Sequence, residues 1–263
     1  MALALQTFST VKDANAALKA AGTRYLGGGT LVMRAVNEGD VSVSSLIRST
    51  EPVLSAITVS GTEVRIGASV TMAAIAHHPD LTPLASAARA VGGPAIRNMA
   101  TVGGNLFAPA PYGDFTVALL ALDAIVSTDN GEMPIETFLA KREGNHAIAT
   151  AVGFTLPAEG FRFLKVSRVK PKGVSVLSIA AVLEQAPDGT VSSARIALGC
   201  MAVRPMRAKA AEKTLLGRKL TSEGIAPALA VASDGTSPVT DPIASAWYRN
   251  EVLPVHLGRL LLA

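Results

Sequence analysis

The chain holds a single cysteine, Cys200, in 263 residues. That excludes an internal disulfide, and it excludes a cysteine-ligated zinc or iron–sulfur site built by this chain alone, so any such cluster has to come from a partner. Aromatic residues are scarce at 4%, which leaves Ala, Val, Leu and Ile to build the core and removes the interleaved stacking platforms of many nucleic-acid binders. Charged residues reach only 17% against 49% hydrophobic, a balance that excludes general disorder. No uncharged apolar run of about 18 residues occurs, and Met1 to Thr10 lacks the basic start and apolar stretch of a signal peptide. The expectation is a cytoplasmic protein with no membrane span. Nucleophile elbow, P-loop and paired-acid patterns are also missing, so the sequence nominates no catalytic acid or base and no metal site.

What charge there is lies unevenly. Residues 1–150 hold 10 basic and 12 acidic side chains, and residues 151–263 hold 14 and 8. Arg162, Lys165, Arg168, Lys170 and Lys172 fall close together and fit a solvated edge, an anionic cofactor or nucleic acid.

Periodicity and punctuation divide the chain near residue 158. Thr10 with Asp13 predicts a capped helix through Val11, Ala14, Ala17, Leu18 and Ala21, stopped by Gly22. Arg24 to Leu26 and Val41 to Ile47 read as strands, and Ile57–Ser60 with Glu63–Ala68 as a hairpin. Thr71 to His77 and Pro83 to Val91 read as short helices. The stretch from Gly92 to Gly113, with Gly92, Gly93, Pro94, Gly103, Gly104, Pro109 and Pro111, reads as a long irregular loop of the functional kind. Asp114 is placed as the cap of an apolar helix to Leu122, and Ala124 to Thr128 as a strand. Beyond Pro157 come three strand-like runs, Phe161–Val169, Val174–Glu184 and Val191–Gly199. Three helical runs follow, Met206–Leu216, Ile225–Ala232 and Ile243–Leu262, the last expected to kink or break at Pro254.

Two glycine loops stand out. Gly27-Gly28-Gly29, followed by Thr30, sets several backbone N–H groups at a strand end without side chains in the way, a shape that suits a phosphate and equally a tight turn. Val32 stands where a dinucleotide fingerprint has its third glycine, and no P-loop lysine follows. Thr101-Val102-Gly103-Gly104-Asn105-Leu106 is a second loop of the same character, with Asp114 nine residues beyond Asn105. Two such loops and a carboxylate for hydroxyls make a chemically complete dinucleotide site. Asp114 as a helix cap alone stays open. His77-His78 suits a helix end better than a metal, and Cys200 suits a small buried side chain.

At this point the sequence resembles a known family. Leu26-Gly27-Gly28-Gly29-Thr30-Leu31, then Ile96 through Leu106 with Pro111-Tyr112-Gly113-Asp114, are similar to the two flavin loops of the FAD-binding medium subunit of xanthine dehydrogenase and carbon monoxide dehydrogenase type molybdenum hydroxylases. Phe163-Leu164-Lys165-Val166-Ser167-Arg168 and Ala246-Trp247-Tyr248-Arg249 are similar to weaker segments of the C-terminal domain in the same family.

The resemblance implies an α+β protein. Residues 1–157 would be a two-subdomain FAD-binding fold of the PCMH (vanillyl-alcohol oxidase-like) type, with subdomains of about 1–56 and 57–157. Residues 158–263 would be a domain with a three-stranded antiparallel sheet and helices. It implies that Leu26, Gly27, Gly28, Gly29, Thr30 and Leu31, with Thr101, Val102, Gly103, Gly104 and Asn105, hold the FAD pyrophosphate. Asp114 would bind the adenosine side, and Lys165 would approach the flavin. It further implies a small subunit with [2Fe–2S] clusters and a large molybdopterin subunit as partners, in a dimer of heterotrimers without nucleic acid. Electrons would pass from the clusters to this FAD and on to NAD, oxygen or a quinone. The family often has Asp where this chain has Leu31, and its animal members have an aromatic residue near the flavin where this chain has Val91. Those two positions motivate the alternative, a flavin-free assembly or interaction protein that keeps the fold.

Overall fold

Three sheets, each from its own stretch of chain, organise the structure, a computed structural model that describes residues 3–142, 147–169 and 173–263. In the first stretch β1 (Ala4–Phe8), α1 (Val11–Leu18), β2 (Thr23–Tyr25), α2 (Val32–Asn37) and β3 (Ser45–Ser49) form a parallel sheet in the order β1-β3-β2. Thr10 caps α1 as its sequence predicts, its Oγ1 accepting from Asp13 N at 3.1 Å. Gly22 takes φ 71, a left-handed turn into β2. β1 escapes the sequence reading because it lies at a sheet edge with four of its five residues exposed, which leaves no period-two apolar signal.

The second sheet runs in the order β4-β5-β8-β6-β7, wholly antiparallel, from β4 (Ile57–Ser60), β5 (Glu63–Gly67), β6 (Ile125–Thr128), β7 (Gly131–Pro134) and β8 (Ala149–Thr155). Between β5 and β6 lie α3 (Met72–His77), α4 (Ala85–Ala90), α5 (Pro94–Arg97), α6 (Val102–Phe107) and α7 (Asp114–Ala121), and α8 (Ile135–Lys141) follows β7. The stretch from Gly92 to Gly113 is therefore not irregular throughout. It holds α5 and α6, each started by local chemistry: Pro94 in the first turn of α5, and Thr101 as the cap of α6. His77 ends α3, its Nδ1 donating to Ala73 O at 2.8 Å, and His78 opens the 3-10 turn at Pro79.

The third sheet, antiparallel in the order β12-β11-β10-β9, comprises β9 (Phe161–Ser167), β10 (Ser175–Gln185), β11 (Val191–Gly199) and the two-residue β12 (Met206–Arg207). Its three long strands run as expected. Met206 joins its edge, so the helix placed from Met206 begins later, as α9 (Lys209–Leu215), followed by α10 (Ser222–Ala230) and α11 (Ala246–Leu261). α11 continues through Pro254, and Ser245 caps its start.

Burial explains the layering. β10 is buried on both faces from Ser175 to Leu183. Ala180 and Val182 join the core shared with α7, while Leu177, Ile179, Ala181 and Leu183 join a second core under α9, α10 and α11. All eight residues of α7 are buried, as expected of a helix that is apolar all round and enclosed between layers. Gly199 permits the close approach, because a Cβ there would lie 2.8 Å from Val117 Cγ2. The first turn of α7 is thereby held against β9 and β10, where the chain places its buried charges.

Candidate functional site

Leu26 makes the last ladder bond of β2, its N–H donating to Ile47 O at 2.7 Å. The chain then turns through the three glycines into α2, with Gly29 at φ 73. Two of these glycines press on the second loop. A Cβ on Gly28 would sit 1.6 Å from Met99 O, and one on Gly27 would sit 2.9 Å from Thr101 Oγ1. The N–H groups of Gly27, Gly28, Gly29, Thr30 and Leu31 find no acceptor among the described residues. Such a run is uncommon in a folded chain, and its partial positive charges suit an anion.

The second loop lies beside the first, but its amides from Val102 to Asn105 are already used. Val102 N donates to Val70 O at 3.0 Å and Gly103 N to Ala68 O at 2.8 Å. Gly104 N donates to Thr101 Oγ1 at 3.1 Å, and the buried Asn105 side chain donates to Thr101 O at 2.9 Å. These bonds tie α6 to the end of β5 and the start of α3. A Cβ on Gly103 would approach Ala68 Cβ and Ala68 O to 3.1 Å, so this glycine answers to packing.

Asp114 does not cap α7. Gly113, at φ 87, holds that position without a side-chain bond, and Asp114 is the first helical residue. Its carboxylate turns to the third sheet, where Oδ2 accepts from Lys165 Nζ at 2.9 Å and Oδ1 from Ser175 Oγ at 2.6 Å. Lys165 Nζ also donates to Ala90 O at 2.9 Å, next to Val91. The sequence reading set Asp114 and Lys165 at opposite halves of a ligand. In the structure their charged groups form an ion pair at 2.9 Å, which brings the two side chains to one place in the fold. Cys200 lies close by, its Sγ donating to Ser175 O at 3.7 Å, and burial with the nearby Asp114 charge pushes its thiol up to about 12.

These parts line one cleft of about 830 Å³. Residues 18–25 line it together with Ala147, Ile148 and Ala149, which Asp129 holds near α1 through Ile148 N and the Asn15 side chain. Both glycine loops line it, as do Val91, Gly92, Asp114, Lys165, Gly173 and Val174. Every expected loop residue lies in the lining except Leu26 and Val102: Leu26 ends the β2 ladder behind the loop, and Val102 is fully buried in the core. The sequence reading missed the cations Lys19, Arg24 and Arg34 and the rings of Tyr25 and Phe107, and it carried Tyr112 only as part of the motif before Asp114; all of them line the cleft. Arg34, one helical turn past the first loop, was the one accessible signal. The described members of the basic cluster, by contrast, are engaged by other parts of this chain. Arg162 donates to the carbonyls of Leu260 and Leu261 at the end of α11, Arg168 donates to Pro242 O, and Lys165 pairs with Asp114. Lys170 and Lys172 lie outside the described residues.

A cleft between three sheets, with two touching glycine loops and a buried Lys–Asp pair, matches a defined class. The family model described as FAD binding domain in molybdopterin dehydrogenase matches residues 2–154, and the CO dehydrogenase flavoprotein C-terminal domain matches residues 162–263. The chain belongs to the family of FAD-binding medium subunits of molybdenum hydroxylases, oxidoreductases whose flavin cofactor is FAD. It is similar to the nicotinate dehydrogenase FAD-subunit of Eubacterium barkeri, 29% identical over 212 residues that cover 74% of this chain and 72% of that one. It is similar also to the glyceraldehyde dehydrogenase medium chain of Sulfolobus acidocaldarius, 28% identical over 64% of this chain, a stretch spanning 63% of that relative, just under two thirds of its length. Among solved structures, carbon monoxide dehydrogenase from Hydrogenophaga pseudoflava has a chain that superposes with a TM-score of 0.89 at 25% identity, covering 99% of this chain and 96% of that one. Among the described residues no helix is long and apolar enough to cross a membrane.

Proposed function

We propose that this chain is the electron-relay subunit of a molybdenum hydroxylase, holding FAD between [2Fe–2S] clusters of a small partner and a terminal acceptor such as NAD, oxygen or a quinone. A large molybdopterin subunit would oxidise the substrate, in a cytoplasmic dimer of heterotrimers. The observation that carries the reading is the row of five amides from Gly27 to Leu31 with no acceptor among the described residues. The residues present fit the group. The amide row suits a diphosphate, and the cleft of about 830 Å³ falls in the usual range for cofactor sites, about 300–1,000 Å³.

Residues 1–157 would form the FAD-binding domain, with subdomains of about 1–56 and 57–157, and residues 158–263 the C-terminal domain. The confinement of each sheet to one of those stretches supports the division. The first loop would hold the diphosphate, and the second would act as the wall that shapes it. Lys165, fixed by Asp114 and Ala90 O, would place a buried cation at the ring end beside Val91, and residues 18–25 with Ala147–Ala149 would enclose the adenosine. When bound, the isoalloxazine supplies the redox chemistry, accepting electrons singly and releasing them in pairs. The protein's own part is to position the ring, exclude water and set the local charge.

Expressed alone, the chain should bind FAD and oxidise no organic donor, accepting electrons only when its iron–sulfur partner is added. Spectra of the purified chain with and without added FAD, followed by turnover assays before and after reconstitution, test this. A chain that takes up no flavin would instead support the flavin-free assembly role. Rapid oxidation of an aldehyde or purine by the chain alone would mean a self-sufficient flavoenzyme.

A further inference from the structure

Arg34 stands one helical turn beyond Thr30 on α2, and its side chain reaches the other wall of the cleft. Its Nη1 donates to the hydroxyl of Tyr112 at 2.7 Å, a contact between residues 78 apart in the chain. Its Nε donates to Glu38 Oε1 at 2.8 Å. Nη2 has no partner among the described residues. Both Arg34 and Tyr112 line the cleft. Tyr112 sits in the segment that ends at Gly113, directly before Asp114, so the bond ties the helix after the first glycine loop to the segment carrying the buried ion pair.

Charge decides what this arrangement is for. Among the described residues four cationic side chains line the cleft, Lys19, Arg24, Arg34 and Lys165, against the one carboxylate of Asp114. Lys165 is neutralised by Asp114 at 2.9 Å. Lys19 and Arg24 lie before the first loop, at the end of α1 and on β2. Arg34 is the cation that directly follows the row of free amides, and its Glu38 partner is more than half exposed, where an ion pair is weak and screened. A planar guanidinium with a donor to spare is well suited to phosphate oxygens.

Resting on the reading of the cleft as an FAD site, we propose that Arg34 is a diphosphate-binding residue and that Tyr112 positions it. The Arg34–Tyr112 bond forms a strap between α2 and the segment before Asp114, and the guanidinium it holds at the cleft would favour flavins that carry a diphosphate. The strap is exposed, so removing it leaves the core intact.

The test uses the full chain stripped of flavin and titrated with FAD at several salt concentrations. The variants are Arg34→Gln, Tyr112→Phe and Arg65→Gln, the last removing a surface guanidinium from the Glu132 pair on the second sheet, away from the strap. Arg34→Gln should weaken FAD binding about tenfold and flatten its salt dependence, as expected for the loss of a hydrogen bond to a charged group. Tyr112→Phe should raise the FAD release rate several-fold while keeping the salt dependence, and Arg65→Gln should match the parent. Arg34→Gln binding FAD like Arg65→Gln overturns the proposal, and so does an unchanged salt dependence. A parent chain that takes up no FAD contradicts the site reading itself, whereas a parent that binds FAD with Arg34→Gln unaltered contradicts only the strap.

Discussion

The two glycine loops line the same cleft and touch each other, yet their backbones are used in opposite ways. From Gly27 to Leu31 the amides are free among the described residues, whereas Val102, Gly103 and Gly104 have given theirs to Val70, Ala68 and Thr101. The first loop is therefore the open face of the site and the second its rigid backing. Glycine serves different ends in each. In the first it lets the loops meet and leaves N–H groups uncovered, and in the second it lets α6 sit close on Ala68. A glycine-rich motif is thus no guarantee of a ligand-binding backbone, and the hydrogen-bond account of each amide decides the matter.

Breaking the contact between the loops should have the largest effect. Gly28→Ala would put a Cβ into the Met99 carbonyl, and backbone cannot yield as a side-chain tip can. A loss of about 3 kcal/mol or more is expected, together with the loss of FAD binding. Urea denaturation of the variant measures it, and a stability within about 0.5 kcal/mol of the parent would show that the loops are not packed as described.

Next comes the buried pair behind the loops. Lys165→Met strands Asp114 and should cost about 3–5 kcal/mol, whereas the double change Lys165→Met with Asp114→Leu should recover much of that. A double-mutant cycle reads the coupling. Because the two charges serve one end of the cleft, each single change should weaken FMN and FAD to a similar degree. A selective loss of FAD in Asp114→Asn would return that residue to the adenosine end.

Smaller effects separate the glycines of the second loop. Gly103→Ala, pressed on Ala68, should lose about 1–2 kcal/mol, and Gly104→Ala, whose Cβ would meet only Thr101 Oγ1 at 3.2 Å, less than about 1 kcal/mol. Thr101→Val removes the cap of α6 and should cost about 1 kcal/mol. Equal effects at Gly103 and Gly104 would blunt the distinction between packing and capping.

One further effect shows only at high pH. Burial raises the Cys200 thiol from 9.0 to about 12, so the protein keeps this thiol neutral where the unfolded chain would ionise it. Its contribution to stability is whole below pH 9 and is lost as pH rises toward 12. The urea midpoint should fall more steeply above pH 9 in the parent than in Cys200→Ala, and the native thiol should resist disulfide reagents. Rapid labelling of the folded chain at pH 8 would contradict the burial.

Much of this could be read from the sequence because its signals are local. Thr10 with Asp13, the hairpin around Ser60-Gly61-Thr62 and both glycine loops rest on neighbours a few residues apart. β1 and β7 were illegible because exposed edge strands lack an apolar alternation, and α6 was hidden by the two glycines it contains. Asp114 shows the limit most clearly. A carboxylate at a helix start reads as a cap, and only the left-handed turn at Gly113 together with Lys165, 51 residues on, redirects it. The cations of the cleft are spread over α1, β2, α2 and β9, so no window of sequence brings them together.

The central claim is that the free amides of the first loop receive the anionic part of FAD. Amide hydrogen exchange of the isolated chain, followed residue by residue with and without FAD, tests it most directly. The account predicts that Val102, Gly103 and Gly104 are already protected without flavin, and that Gly27 to Leu31 exchange rapidly until FAD is added and then slow by at least about tenfold, as expected for new hydrogen bonds to a charged group. Flavin uptake that leaves Gly27 to Leu31 unprotected would contradict it.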